Sequence, residues 1–197
     1  MTRKPTGVRQ EEIKLAVLKI IRTEGIKAVS TKNLAKYTGL SEGAIFRHFK
    51  TKKDIIISII DDVTNDMVEN LRKVAYTDTK ANKRLFQFLC SNINYLTEHN
   101  GITILLFTEA SHADDQEMMT KLNLIFNTQR ELVGKIIKDG IDDGIWDKNT
   151  SINTVTQLYM GIPITYNIGL VLSDKKSHNQ DFCKEMMDLF ERILVVR

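Results

Sequence analysis

Residues 30–53 read STKNLAKYTGLSEGAIFRHFKTKK and predict two short helices joined by a tight turn, followed directly by the start of a third helix. Thr31 is expected to cap the first helix, and Gly39 to end it. Ser41 is a favourable N-cap for the second helix, because its hydroxyl can accept a hydrogen bond from a free amide of the first turn. A short helix, a glycine corner and a second capped helix are typical of a helix-turn-helix.

The second helix, predicted over residues 42–49, has two different faces. Three of its residues are expected in the core: Ala44, Ile45 and Phe49. Three others are expected to point outward: Phe46, Arg47 and His48. Gly43 lies in the first turn, where it costs about 1 kcal/mol of helix propensity relative to alanine. Close approach to a phosphate is one physical reason to accept that cost, so the outer face is a candidate DNA contact.

Three lysines gather where the following helix is expected to begin. Lys50, Lys52 and Lys53 lie beside Thr51-x-x-Asp54, which has the spacing of a capping box. Ammonium groups and free amides at one helix start suit a phosphate.

The segment SEGAIFRHFKTKKD, residues 41–54, resembles the recognition-helix signature of the TetR family of bacterial transcriptional regulators. The resemblance covers residues 9–70, and beyond them the family shares only an all-helical plan. The family pattern places His48 and Lys52 on phosphates. The family usually has tyrosine where this chain has Phe46, so a hydroxyl that commonly reaches a phosphate is missing here.

The residues expected to contact DNA come from both short helices and from the lysines that follow them. They are Ser30, Thr31, Lys32, Ser41, Glu42, Gly43, Ala44, Phe46, Arg47, His48, Lys50 and Lys52. Arg47 is the only arginine of the predicted recognition helix, and arginine makes the commonest specific contact with the O6 and N7 atoms of guanine. Glu42 either accepts a hydrogen bond from a cytosine amine or faces solvent.

The charge distribution also favours a polyanion as the partner of the N-terminal part. The formal net charge is +3, but residues 1–53 hold 13 Lys and Arg against 4 Asp and Glu, whereas residues 54–197 hold 15 against 21. A basic head on an acidic body is typical of a nucleic-acid-binding domain. A membrane-surface domain would need an apolar outer face beside the lysines, and the apolar stripe of the first helix is needed for the core of the head. Residues 1–10 are expected to form a basic arm or a disordered tail.

Long stretches of helical periodicity and only two prolines predict an all-α protein of about nine helices. We expect a three-helix DNA-binding domain over residues 1–53 and a helical domain for effector binding and dimerisation over residues 54–197, with helix four, from residue 51, as the connector. The apolar stretches at 102–107 and 162–172 are too short or too interrupted to span a bilayer. No signal peptide is visible, so a cytoplasmic location without membrane contact is expected.

Two further sites are expected in the C-terminal domain. The effector pocket is assigned to Phe86, Phe107, Tyr159, Pro163 and Tyr166, with ordinary core packing as the alternative for each. An aromatic interior beside a helix that contains a proline suits a small hydrophobic effector.

The dimer interface is expected on the last two helices, numbers eight and nine. Helix eight carries almost no charge over residues 158–172 and should be buried on most sides, and helix nine is also apolar. One chain cannot cover both, so a homodimer is expected, and the family resemblance implies the same. The residues assigned to the interface are Leu158, Ile162, Phe182, Met186, Phe190 and Ile193.

These features predict a homodimeric repressor that binds a palindromic operator in double-stranded DNA and is released by a small hydrophobic effector. One alternative is an effector-independent DNA-organising protein of the same fold. The other is a metal-dependent enzyme that uses oxygen and imidazole ligands from Glu109, His112, Asp114 and Asp115. The sequence has no Ser-His-Asp elbow, glycine-rich phosphate loop, HExxH or CxxC motif, so we assign no catalytic residue, metal ligand or cofactor.

Overall fold

The computed structural model describes residues 4–112, 114–172 and 179–194. Within these ranges every regular element is helical, which confirms the all-α prediction. The α-helical segments are α1 (Thr6–Glu24), α2 (Thr31–Thr38), α3 (Glu42–Phe46), α4 (Lys52–Asp62), α5 (Glu69–Ala75), α6 (Ala81–Glu98), α7 (Ile102–His112), α8 (Gln116–Asp142), α9 (Ile152–Leu172) and α10 (Asn179–Leu194). A π-helical turn, Val63–Val68, joins α4 to α5 without a break, so the described ranges contain nine helices, as predicted, and in addition one 3₁₀ turn, Ile26–Ala28.

The chain divides into two compact units. The first contains the residues up to Asp62 and the segment Leu105–Met119, and the second contains Val63–Ile104 and the residues from Thr120 onward. The division lies later than the predicted boundary at residue 53, because α4 packs against α1. The first unit also includes a segment from the middle of the chain, which the sequence did not indicate.

The core of the first unit is aliphatic. Its buried residues include Ile13, Val17, Ile20, Leu34, Ile45, Phe49, Ile55, Ile56 and Ile60. The predicted inner face of the recognition helix is confirmed, since Ala44, Ile45 and Phe49 are all buried. However, α3 ends at Phe46, and Phe49 reaches the core from a turn in which its amide donates to the carbonyl of Ile45 (3.0 Å).

Helix α1 begins earlier than expected. Its first residue is Thr6, so the predicted arm over residues 1–10 is wrong for residues 6–10, while residues 1–3 lie outside the described residues. The amide of Arg9 donates to the carbonyl of Pro5 (3.2 Å), and its guanidinium pairs with Glu12 (2.7 Å). These residues lack an apolar period, but local hydrogen bonds and an i,i+3 ion pair support a helix there.

The connector helix starts with the predicted capping box. The amide of Thr51 donates to Asp54 Oδ2 (2.9 Å), and the amide of Asp54 donates to Thr51 Oγ1 (3.1 Å). Helical structure then continues to Ala75, and the two units divide at the first residue of the π-helical turn. Such turns are rare and frequently occur at functional sites.

The second unit is organised around α6, which packs against α5, α9 and α10. Tyr159 is buried in this core, and its ring lies 5.3 Å from that of Phe190 in an edge-to-face arrangement. The buried guanidinium of Arg84 donates to the carbonyl of Ala75 (2.8 Å) and to Asp139 (2.7 Å). Arg84 therefore satisfies a carbonyl at the end of α5 that has no partner within its own helix.

Helix α9 has only one buried face in the single chain. Five of its apolar residues are exposed: Leu158, Ile164, Ile168, Val171 and Leu172. Residues 162–172 are part of this longer apolar helix, which by length and composition alone could cross a membrane, a test that core helices of soluble proteins also pass. Its buried face carries Thr156 and Asn167, and the hydroxyl of Tyr159 donates to the carbonyl of Leu85 (2.6 Å), which is typical of a core helix.

Candidate nucleic-acid interface

The outer face of α3 is exposed and makes few contacts with the rest of the chain. Phe46 is 48% exposed, and Glu42, Gly43 and Arg47 are also exposed. A Cβ atom added to Gly43 would meet no atom within 4 Å among the described residues. Packing within the described chain therefore does not require glycine at this position, and the open space leaves room for an outside surface to approach the helix.

The two serines of the motif act as helix caps. Ser30 Oγ accepts from the amide of Asn33 (3.2 Å), so the cap of α2 is Ser30 and the assignment to Thr31 was wrong. Ser30 has an extended backbone, which an N-cap requires, whereas Thr31 is already the first helical residue. Ser41 Oγ accepts from the amide of Ala44 (3.2 Å), as predicted.

Thr31 instead connects the starts of the two helices. Its hydroxyl donates to Glu42 Oε2 (2.6 Å). With Gly39 in the left-handed conformation (φ 67°) at the corner, this bond fixes where α3 begins relative to α2. Thr31 and Glu42 thus orient each other, which the sequence did not show because the two residues lie on different helices.

His48 is less exposed than expected. Its side chain is half-buried, and its Nδ1 atom is buried with no hydrogen-bond partner among the described residues. The carbonyl of His48 accepts from Gln10 Nε2 (3.3 Å), which ties the turn after α3 to α1. Ala44 is also buried and its amide donates to Ser41, so its side chain packs inside the unit instead of facing outward.

The cationic groups fall into two sets. Lys32, Arg47 and Lys50 are exposed and have no ion-pair partner within the described ranges. Lys52 Nζ lies 2.7 Å from Glu109 Oε1, and Lys53 Nζ lies 2.9 Å from Asp115 Oδ2 and 3.0 Å from Glu117 Oε2.

These pairs affect the pKa values of their members. Hydrogen bonds to Asp115 and Glu117 raise the pKa of Lys53. The same bond from Lys53, together with amides at the start of α8, lowers the pKa of Asp115. Both groups are therefore charged at neutral pH.

The proposed metal site does not assemble in the way the sequence allowed. Glu109 and Asp115 both pair with lysines, and the side chain of His112 lies outside the described residues. The described part of the chain holds no group of three or more His, Cys, Asp or Glu side chains close enough to bind a metal ion. The acidity of this segment was visible in the sequence, but its lysine partners were not.

The residues assigned to the effector pocket are distributed over both units. Phe107 belongs to the first unit and is 49% exposed. In the second unit Tyr159 and Pro163 are buried, and burial raises the pKa of Tyr159 well above its usual value. Tyr166 is half-buried with its ring 4.8 Å from that of Phe182.

Phe86 lies instead on a surface groove of about 360 Å³ between α6 and α10. The polar groups inside the second unit were not apparent from the sequence. Asn92 Nδ2 donates to Gln129 Oε1 (2.8 Å) with both side chains buried, and the buried Thr156 Oγ1 has no partner among the described residues.

The residues assigned to the dimer interface differ in exposure. Leu158 and Ile193 are 53% and 58% exposed, and Ile162, Phe182 and Met186 are half-buried. Phe190 is an exception, because it is only 3% exposed and its ring packs against Tyr159 inside the second unit. Leu189, which precedes it on α10, is the exposed residue.

Capped α2 and α3, a buried inner face and an exposed outer face define a helix-turn-helix DNA-binding protein. Residues 16–59 match the family model described as bacterial regulatory proteins, tetR family. This N-terminal segment therefore carries the DNA-binding region that the tetR family model describes, and the protein is a DNA-binding transcriptional regulator.

Two curated relatives and one solved structure illustrate the similarity. The fatty acid metabolism regulator protein of Bacillus subtilis (strain 168) is 21% identical over 161 residues, which cover 82% of this chain and 82% of that protein. The nucleoid occlusion factor SlmA of Vibrio campbellii is 22% identical over 66% of this chain and 67% of that protein. The crystal structure of FadR from Bacillus subtilis in complex with stearoyl-CoA has a TM-score of 0.74 and 20% identity, and covers 91% of this chain and 96% of that chain. At this identity the structural likeness shows the fold.

Proposed function

We propose that the protein is a cytoplasmic repressor that binds a near-palindromic operator as a homodimer and is released by a small hydrophobic effector. The observation that carries the DNA contact is the exposed outer face of α3 on a buried and capped base. In this proposal one α3 enters the major groove of each half-site. Dimeric helix-turn-helix proteins hold their recognition helices about 34 Å apart, which is one turn of DNA.

Each exposed group of the motif has a chemical role in this proposal. Arg47 donates to the O6 and N7 edge of a guanine, and Phe46 makes apolar contact with a thymine methyl group or the backbone. Lys32 and Lys50 bind phosphates, together with Ser30 and Ser41 at the helix starts. Glu42 orients Thr31 and restricts the bases that fit beside it.

The exposed apolar residues of α9 and α10 support dimerisation through these helices. Five exposed apolar residues on α9 and two on α10 form faces that a soluble chain does not usually leave uncovered. A second copy that presents the same faces would cover them with two-fold symmetry. We place Leu158, Leu189 and Ile193 in this interface, with Phe190 supporting it from the core.

Two observations support an effector site in the second unit. One structural neighbour was solved with stearoyl-CoA, and a curated relative is named for fatty acid metabolism. The unpaired Thr156 hydroxyl and the buried Asn92–Gln129 pair are polar groups within an apolar unit. Such groups can orient a largely apolar ligand, and a coupling free energy of about 1–3 kcal/mol would change operator affinity 5- to 150-fold.

The similarity to a nucleoid occlusion factor favours a second candidate function, an effector-independent DNA-organising protein. Thermal unfolding with and without stearoyl-CoA separates the two functions. A concentration-dependent rise in Tm supports the effector, because a ligand that binds only the folded state stabilises it. An unchanged Tm across a panel of acyl-CoA, fatty acid and steroid ligands favours the DNA-organising protein.

Selection of bound sequences from a random DNA pool tests the DNA contact. We expect enrichment of a palindrome with half-sites about one turn apart. Salt-sensitive binding with no enriched sequence would contradict operator recognition and leave only non-specific phosphate contacts.

A further inference from the structure

The lysines at the start of α4 face carboxylates that come from the middle of the chain. These carboxylates, Glu109, Asp115 and Glu117, are called the acidic trio below. All three lie 2.7–3.0 Å from Lys52 or Lys53. Residues 105–119 contain four carboxylates and no Lys or Arg, and they belong to the same compact unit as the helix-turn-helix. The cationic start of α4 is therefore neutralised inside its own unit.

The local structure holds the acidic trio in place. Asp115 Oδ1 accepts from the amides of Glu117 and Met118, both at 3.1 Å, so this carboxylate caps the start of α8. Glu109 lies on α7 one residue before the fully buried Ala110. The side chains of Glu109 and Asp115 are only 17% and 15% exposed, so solvent screens their charges less than it would at a free surface.

A DNA phosphate and a carboxylate of the acidic trio are alternative partners for the same ammonium groups. Both are anions that accept charge-assisted hydrogen bonds. A DNA phosphate that binds a lysine releases a counterion from the DNA. The carboxylate that it displaces then attracts a counterion of its own, so the net number of ions released on binding falls. Arg47 and Lys50 face no such competition among the described residues.

We propose that the acidic trio is a built-in competitor for the DNA phosphates that bind Lys52 and Lys53, and that it sets the overall DNA affinity of the protein below what its lysines alone would give. This inference rests on the proposed DNA-binding function and adds to it phosphate contacts of Lys52 and Lys53, which lie at the start of α4 where the sequence favours a phosphate. The trio lowers the sequence-independent part of binding, which comes from phosphates, and leaves the base contacts of α3 unchanged.

The test uses single substitutions that remove one charge and keep the shape. Glu109→Gln releases Lys52. Asp115→Asn removes one of the two carboxylates that pair with Lys53, and Asn keeps the capping oxygen. Asp114→Asn is the matched control: it is the neighbouring exposed aspartate, has no lysine partner among the described residues, and has a φ of 48° that asparagine tolerates well. All three variants have the same net charge.

The affinity of each variant for a random-sequence duplex is measured over a range of salt concentrations. We expect Glu109→Gln and Asp115→Asn each to bind up to about fivefold tighter at low salt, which is the range for partly exposed ion pairs. The slope of log K against log salt should become steeper by up to about 0.9 for each lysine released. Asp114→Asn should change both quantities much less.

Three results separate the possible failures. If both trio variants behave like Asp114→Asn, the trio does not compete with phosphates and the inference is wrong. If Lys52→Ala also leaves affinity and salt slope unchanged, the proposed phosphate contact of Lys52 itself is wrong. If Glu109→Gln tightens binding equally in a Lys52→Ala background, the gain comes from net charge alone and the inference is again wrong. Circular dichroism and urea midpoints confirm that each variant is folded. Glu109→Gln and Asp115→Asn act on different lysines, so each variant tests the inference separately.

Discussion

The turn that follows α3 and the start of α4 are both cationic, but the cations of the turn are free and those of α4 are paired. Arg47 and Lys50 are exposed without ion-pair partners in the described ranges, whereas Lys52 and Lys53 each pair with carboxylates. Groups without partners offer their full hydrogen-bonding capacity to DNA, and paired groups must first exchange one anion for another. This contrast separates a surface that selects the sequence from one that tunes how tightly any sequence is bound.

The exposed face of α3 keeps its position only if the core beneath the helix is intact. Replacing the buried Ile45 by alanine should destabilise the protein by about 2–5 kcal/mol, because it removes core methylenes and leaves a cavity. Phe46→Ala, next to it on the exposed face, should change stability by less than about 0.5 kcal/mol while weakening operator binding. Urea unfolding measures both values, and equal destabilisation would show that the two faces are not distinct.

The cap of α3 should have the next largest effect. Ser41→Ala removes the acceptor for the amide of Ala44 and should cost about 0.5–2 kcal/mol of stability. Ser41→Asn should cost far less, because asparagine is an equally good N-cap. If both variants lose the same stability in urea unfolding, Ser41 does not act through its cap.

A comparison of Lys50 with Lys52 sharpens the distinction between free and paired cations. Lys50→Ala should reduce the salt slope of binding to random DNA by about 0.9, the value for one phosphate contact. Lys52→Ala should reduce it by less, because Glu109 already neutralises Lys52 in the free protein. Titrations at several salt concentrations give both slopes. A larger reduction of the slope for Lys52→Ala than for Lys50→Ala would contradict the assignment of Lys50 as the free cation and Lys52 as the paired one.

The pH dependence of stability should show the smallest effect. Lys53 lowers the pKa of Asp115, so the stabilisation is present above the ordinary carboxyl pKa of about 3.9 and is lost as pH falls through the lower pKa of the folded state. The pKa of Lys53 is raised, so the stabilisation that this lysine contributes is present below its ordinary pKa of about 10.4. That stabilisation is lost as pH rises through the higher pKa of the folded state. Asp115→Asn should therefore be less stable than the unmodified protein near neutral pH, and the two should converge in acid. Thermal unfolding against pH measures this, and a difference in Tm that is constant with pH would contradict the pairing.

The helix-turn-helix was predictable from sequence because its determinants are local. The Ser41 cap, the Gly39 corner, the Thr51–Asp54 capping box and the buried Ile45 all act within a few residues of each other. The shift of the α2 cap to Ser30 is a one-residue error of the kind that capping patterns leave open.

Contacts between distant parts of the chain were not predictable in the same way. The sequence showed an acidic segment and a cluster of lysines, but the pairing of Glu109 with Lys52 depends on how α7 packs in the first unit. Phe190 was assigned to a dimer surface because α10 is apolar on more than one face, and only its contact with Tyr159 shows which face is inside. The buried Asn92–Gln129 pair gave no local signal.

The most direct test of sequence selection by α3 is the ratio of operator affinity to random-DNA affinity for Arg47→Ala, with Lys50→Ala as the matched control. We predict that Arg47→Ala loses about 1–3 kcal/mol on the selected operator, much less on random DNA, and accepts other bases at the contacted position. Lys50→Ala should weaken both kinds of DNA by similar factors. Equal losses on operator and random DNA for Arg47→Ala would contradict the assignment of base contacts to α3.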